Sequence, residues 1–212
     1  MLEVEDIQHI LLTRTPALTG RYEFLSFRNA AGGRAWLAEI LEQVQSAAEA
    51  MASVEKDKRW VTVAFTWNGL RALGVDEGSL ATFPEEFKQG MVARAEMLGD
   101  TGESHPDYWV GGLASLDLHA IAILFARDAA ERARCVIEHD KLVAQCEGVE
   151  TLSALDLARI SHTIFARSRS FARRLDSRFR NAPARGAGDA SRAGILSGLR
   201  GGSKQLISVG LG

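Results

Sequence analysis

Cysteine is nearly missing from this chain: Cys135 and Cys146 are the only two in 212 residues. Two thiols cannot build the disulfide framework of a small secreted domain, and they fit a reducing compartment. The start, Met1-Leu-Glu-Val-Glu-Asp6, lacks both a basic leader and an apolar stretch, so no secretory signal is expected there. No uninterrupted apolar run reaches the ~18 residues of a membrane span. The predicted location is therefore the cytoplasm, with no membrane partner. Strong net charge is also lacking: the sum is −2, which excludes a strongly basic nucleic-acid binder as the default. With 46% hydrophobic and 25% charged residues, the composition is that of a globular protein, neither disordered nor fibrous.

The near-neutral sum hides an uneven split. Residues 1–158 carry 14 Lys+Arg and 25 Asp+Glu, a net of −11. Residues 159–212 carry 11 Lys+Arg and 2 Asp+Glu, a net of +9; ten of those cations are Arg, and no Glu follows Glu150. Two parts are expected: a domain over 1–158 and a poorly ordered Arg/Ser/Gly-rich tail over 159–212.

Within the first part the patterning reads clearly. Residues 21–28 (RYEFLSFR) alternate, with Tyr22, Phe24 and Ser26 on one side and Glu23, Leu25 and Phe27 on the other. Trp36, Leu37, Ile40, Leu41 and Val44 follow at helical spacing, predicting a helix over 33–46 that ends in the polar stretch 47–58. Residues 60–66 read as a second strand, and 66–74 as a short helix closed by Gly74. Residues 83–98 read as a helix with Pro84 in its first turn and Gly99 after it, inside an insertion over 79–109. The apolar run 117–126 predicts a central strand. A helix over 128–145 follows, with Ala129, Ala133, Val136, Ile137 and Val143 placed inward, then a last strand over 149–157. Two βαβ crossovers of right-handed sense give an α+β, ferredoxin-like split βαβ domain: a mainly antiparallel four-stranded sheet with helices on one face.

No catalytic constellation emerges from the residues themselves. Cys135 and His139 share a helix face at i, i+4, a spacing that can hold a metal, but no second pair completes four ligands. They read instead as a core cysteine beside a partly exposed histidine. His119, in an apolar stretch, reads as a sheet histidine with one hydrogen bond. His9, His105 and His162 have no partner at motif spacing, and the acidic residues read as solvated helix faces. In the tail, GAGDA at 186–190 and GLRGGSK at 198–204 fit neither phosphate-loop pattern. Its arginines with Phe165, Phe171 and Phe179 offer phosphate contacts and stacking, yet nucleic acid is not the expected partner.

Several linked segments resemble the dye-decolourising (DyP-type) haem peroxidases. These are DIQ at 6–8 with ILL at 10–12, RYEFLSFR at 21–28 with RAWL at 34–37, and TFPEEFKQGM at 82–91 with RAEMLGD at 94–100. The most telling is VAFTWNGLRALGV at 63–75, similar to the family's AFTxxGLxALGV. The resemblance covers about residues 5–157 and implies the first of the family's two ferredoxin-like domains. It also implies haem b as cofactor, with hydrogen peroxide and a bulky organic donor such as a dye as substrates. In the family a GxxDG motif supplies the distal aspartate, and the iron-ligating histidine and distal arginine lie further on, in the second domain.

After Leu157 no GxxDG follows; SHTIF at 161–165 and RSRS at 167–170 stand in its place. No catalytic, cofactor-binding or metal residue is therefore assigned, and His162 is not taken as the iron ligand. The expectation is a truncated peroxidase without activity of its own, its basic tail an out-of-frame reading of a GC-rich gene. The alternative is a non-catalytic ferredoxin-like module whose free edge and uncovered sheet face bind a partner or a second copy.

Overall fold

The computed structural model describes residues 3–12, 17, 19–53 and 59–157. The expectations attached to the basic segment 159–212, and to His162, lie outside the described residues.

Four strands carry the fold: β1 (Thr19–Phe27), β2 (Arg59–Phe65), β3 (Ala120–Ala126) and β4 (Val149–Leu157). Their order across the sheet is β2-β3-β1-β4, and every neighbouring pair is antiparallel. This is the predicted ferredoxin-like sheet. The alternation in β1 decides which side faces what. Leu25 and Phe27 enter the main core with Val61, Val63, Phe65, Ala120, Ala122 and Leu124. Phe24 and Tyr22 join a second cluster with Leu118, Ile121, Ile123, Leu152 and Leu155 on the opposite side.

The first side is covered by α1 (Ala30–Leu41) and α6 (Ala129–Gln145), which bring Trp36, Leu37, Ile40, Cys135 and Leu142 onto the sheet. Each helix opens on a capping side chain: Asn29 accepts from Gly32 N–H and Asp128 from Glu131 N–H. α1 ends earlier than predicted, because the backbone turns and Val44 pairs with Val61 at the β2 edge. The polar stretch after it is helical: α2 (Ala47–Ser53) starts from a capping box in which Ser46 and Glu49 exchange side-chain-to-backbone hydrogen bonds.

The predicted inward face of α6 is corrected. Ile137 is 54% exposed, and Ala129 and Ala133 also face solvent. Cys135, His139 and Leu142 are buried, with Val136 and Val143 beside them. The helix turned toward the sheet by placing the histidine inside, where it has partners. β3 likewise begins at Ala120 rather than 117. The Ser115 hydroxyl and carbonyl accept from Asp117 and Leu118 N–H, closing a turn there instead.

Residues 66–109 form the predicted short helix and insertion. They hold α3 (Trp67–Ala72), α4 (Glu77–Ala81) and α5 (Glu85–Leu98), joined where Trp67 meets Phe83 and Phe87 edge-on at 6.2 and 6.3 Å. α5 is broken at Gly90, whose φ of 71° and ψ of 177° only glycine adopts readily. The loop after the insertion lies over the second sheet face. There Ser153 donates its hydroxyl to the Gly111 carbonyl, and Leu113 and Leu118 pack on the apolar strip. That face is thus partly covered, not bare as predicted.

Candidate functional site

Glu23 follows from the β1 alternation: it points to the same side as Leu25 and Phe27, into the core, with no exposed surface. A carboxylate there must be hydrogen-bonded or paired. The α6 phase supplies the partner. His139 Nδ1 lies 2.6 Å from Glu23 Oε2. Trp36 Nε1–H, from α1, donates to His139 Nε2 at 3.1 Å. Since an indole only donates, Nε2 is the bare nitrogen, and Nδ1 carries the proton given to Glu23. Arg21 donates from Nε to Glu23 Oε1 at 3.1 Å and from Nη1 to Asp156 Oδ1 at 3.2 Å. A chain of polar contacts thus runs from the centre of the core to the surface of β4.

The Cys135–His139 pair does share one face, but His139 is 2% exposed, which corrects its expected part-exposure. Both its nitrogens are committed to Glu23 and Trp36. Cys135 sits beside Arg59, which is ion-paired with Glu138. Burial pushes the Cys135 thiol up, and the guanidinium offsets only part of that. The signal that sequence reading missed was Glu23 itself: an acid on a core-facing register requires a partner at a buried position.

The other histidines among the described residues have other partners. His119 precedes β3 and its Nδ1 accepts from Phe27 N–H at 2.8 Å, the single bond expected of it. Burial holds its pKa below the ordinary 6.5, which keeps it neutral and able to accept. Burial likewise lowers His9, which is 1% exposed. His105 is a surface residue beside Asp107 at 3.2 Å. Among the described residues no group of three or more His, Cys, Asp or Glu side chains is placed to hold a metal.

The motif at 63–75 is a corner that locks β2 to β3. Thr66 caps α3 by accepting from Gly69 N–H, while its hydroxyl donates to the Leu118 carbonyl at 2.6 Å. Gly69 lies so close to the next strand that a Cβ would sit 1.8 Å from the His119 carbonyl oxygen. Gly74 closes the turn with φ of 75°. These residues set the geometry of the corner.

Of the described histidines, His139 has both ring nitrogens engaged, His9 is buried in the core, His119 Nδ1 accepts from Phe27 N–H, and His105 lies at the surface beside Asp107. The described residues form a four-stranded ferredoxin-like α+β domain with one helical layer and a second apolar sheet face. Comparison with known proteins places that class in a family. The family model for the DyP dimeric alpha+beta barrel domain matches residues 6–152, and the chain belongs to that family, the DyP-type peroxidases, as its N-terminal part.

Solved structures agree on the fold. DyP2 from an Amycolatopsis species is 20% identical with a TM-score of 0.65, covering 74% of this chain and 34% of that one. A decolorizing peroxidase from Auricularia auricula-judae is 19% identical with a TM-score of 0.63, covering 76% of this chain and 34% of that one. An ancestral D-type dye decolorizing peroxidase gives 22% and 0.63, covering 73% and 34%. The chain therefore spans about a third of the length of these peroxidases. No curated protein matches it.

Proposed function

We propose that residues 1–158 act as the N-terminal domain of a haem b peroxidase that uses hydrogen peroxide to oxidise dyes and other bulky organic donors. The observation that carries this reading is the family membership over residues 6–152. In this reading the described residues contribute scaffold, and little or no turnover of the 212-residue chain alone is part of the proposal, on the missing GxxDG after Leu157. The cytoplasm is the proposed location, on its two buried free thiols. No helix among the described residues is long and apolar enough to cross a membrane.

A second reading, a non-catalytic pairing module, is favoured by one specific feature. The strip of Tyr22, Phe24, Ile121, Ile123, Leu152 and Leu155 lies on the sheet face away from the helices. The matched domain is described as a dimeric alpha+beta barrel, and this face is the one a second α+β unit would cover. Adding haem to the purified chain tests both. The peroxidase-domain reading expects no stoichiometric Soret band and no peroxide-dependent dye bleaching. A stoichiometric Soret band with turnover overturns the inactivity. Absence of haem binding in a chain that sediments as a defined oligomer favours the pairing module.

A further inference from the structure

The network of Glu23, His139 and Trp36 has no part in the proposed peroxide chemistry, yet it is built from side chains no more than 2% exposed. The four tryptophans of the chain meet very different surroundings. Trp60 has the Arg127 guanidinium over its ring at 5.9 Å, and Trp67 has the Lys88 ammonium at 6.0 Å. A cation over a ring opposes positive charge forming on it. Trp109 donates its N–H to the Ser104 carbonyl at 2.8 Å, an oxygen that cannot keep a proton. Trp36 alone among the four donates to a titratable base, and that base is backed by a buried carboxylate.

We propose that Trp36 is a proton-coupled redox site, in which loss of one electron from the indole is accompanied by transfer of its Nε1 proton to His139 Nε2. The electron passes to an outer-sphere one-electron oxidant stronger than indole. The Nε1–H bond breaks and a new N–H bond forms on the imidazole. The products are a neutral indolyl radical and an imidazolium held against Glu23, itself held by Arg21. A one-electron donor reverses the step, returning the electron to the ring while the proton goes back from Nε2. Burial makes the coupling necessary: an indole radical cation at zero exposure would be a charge without solvent. Moving the proton over 3.1 Å puts the positive charge beside a carboxylate instead. Phe27 and Phe65, with centroids 5.7 and 6.5 Å from Trp36, exclude water from the ring.

This inference does not depend on the haem reading, and its test uses no haem. The full chain is photo-oxidised with a ruthenium tris(bipyridine) sensitiser and a cobalt(III) quencher, and the radical is followed by absorption and electron paramagnetic resonance. The partly exposed Trp67 and Trp109 can lose a proton to water after oxidation, so the reading is made in the triple variant Trp60→Phe/Trp67→Phe/Trp109→Phe, which leaves Trp36 as the sole tryptophan. The expected product is a neutral tryptophanyl radical, told from a tyrosyl radical by its absorption and resonance spectra, whose formation slows in D2O. Adding His139→Gln to that background keeps an acceptor for the indole but removes the base; it should replace the neutral radical with the protonated form or eliminate the signal. No tryptophanyl radical in the triple variant, or a neutral tryptophanyl radical surviving the added His139→Gln, overturns the proposal. A purely structural role for the network would move melting temperature in these variants but not the protonation state of the radical.

Discussion

Glu23 is the residue on which the core turns. It is an acid on the buried side of β1, stabilised only because His139 and Arg21 meet its two oxygens. Arg21 still faces Glu23 when His139 is removed, but one Glu23 oxygen and the Trp36 N–H are then buried without partners, at about 1–3 kcal/mol each. His139→Leu should therefore lower the stability measured by urea unfolding by about 2–5 kcal/mol. Gly69 sets a second limit. A methyl 1.8 Å from a backbone oxygen forces α3 off the sheet, so Gly69→Ala should destabilise by about 3 kcal/mol, read as a fall in the urea midpoint. Histidine sets the pH response. Burial keeps His119 and His9 below their ordinary value of 6.5, so under acid the unfolded chain binds protons that the folded one refuses. Their contribution is complete above pH 6.5 and is lost progressively as pH falls below it. His119→Asn, whose amide oxygen can accept from Phe27 N–H, should flatten the melting temperature against pH in that range. An unchanged acid slope would remove His119 as its source.

At the level of elements, the edge of β2 shows how a strand is ended sideways. The Gln8 carboxamide donates to the Val63 carbonyl at 2.9 Å and accepts from Val63 N–H at 3.0 Å, a side chain standing in for a neighbouring strand. Val44 takes the next place along the same edge. This blocks strand addition where the backbone would otherwise be open. Gln8→Ala should cost about 2–4 kcal/mol, because a buried N–H and C=O both lose their partners. Dynamic light scattering should also show increased self-association of that variant. Strands were legible in the sequence because alternation and β-branching act locally, as in residues 21–28 and 60–65. The phase of α6 was not. Ile137 is the more apolar side chain, yet His139 took the buried place because Glu23, 116 positions earlier, lay opposite it.

For the whole molecule, the described residues close a complete sheet with one helical layer and two apolar clusters on its opposite faces. Every strand has its hydrogen-bonded neighbours within residues 19–157. A chain ending at Ala158 should accordingly unfold in one cooperative transition within about 2 °C of the 212-residue chain, by scanning calorimetry. A much lower transition would show that residues after 158 hold the domain together.

Local pattern located the four strands, the main helices and the corner at 63–75, because alternation, helical spacing and turn residues act over a few neighbours. The right-handed crossover rule then turned their order into the split βαβ, antiparallel sheet. Only the tertiary structure decided which faces those elements present: that the 110–118 loop lies on the second sheet face, that Gln8 seals β2, and that Glu23, His139 and Trp36 meet. These three come from β1, α6 and α1, and no local rule links them. What brings them together is the desolvation of a carboxylate, which is tolerable only where the folded chain delivers donors to it.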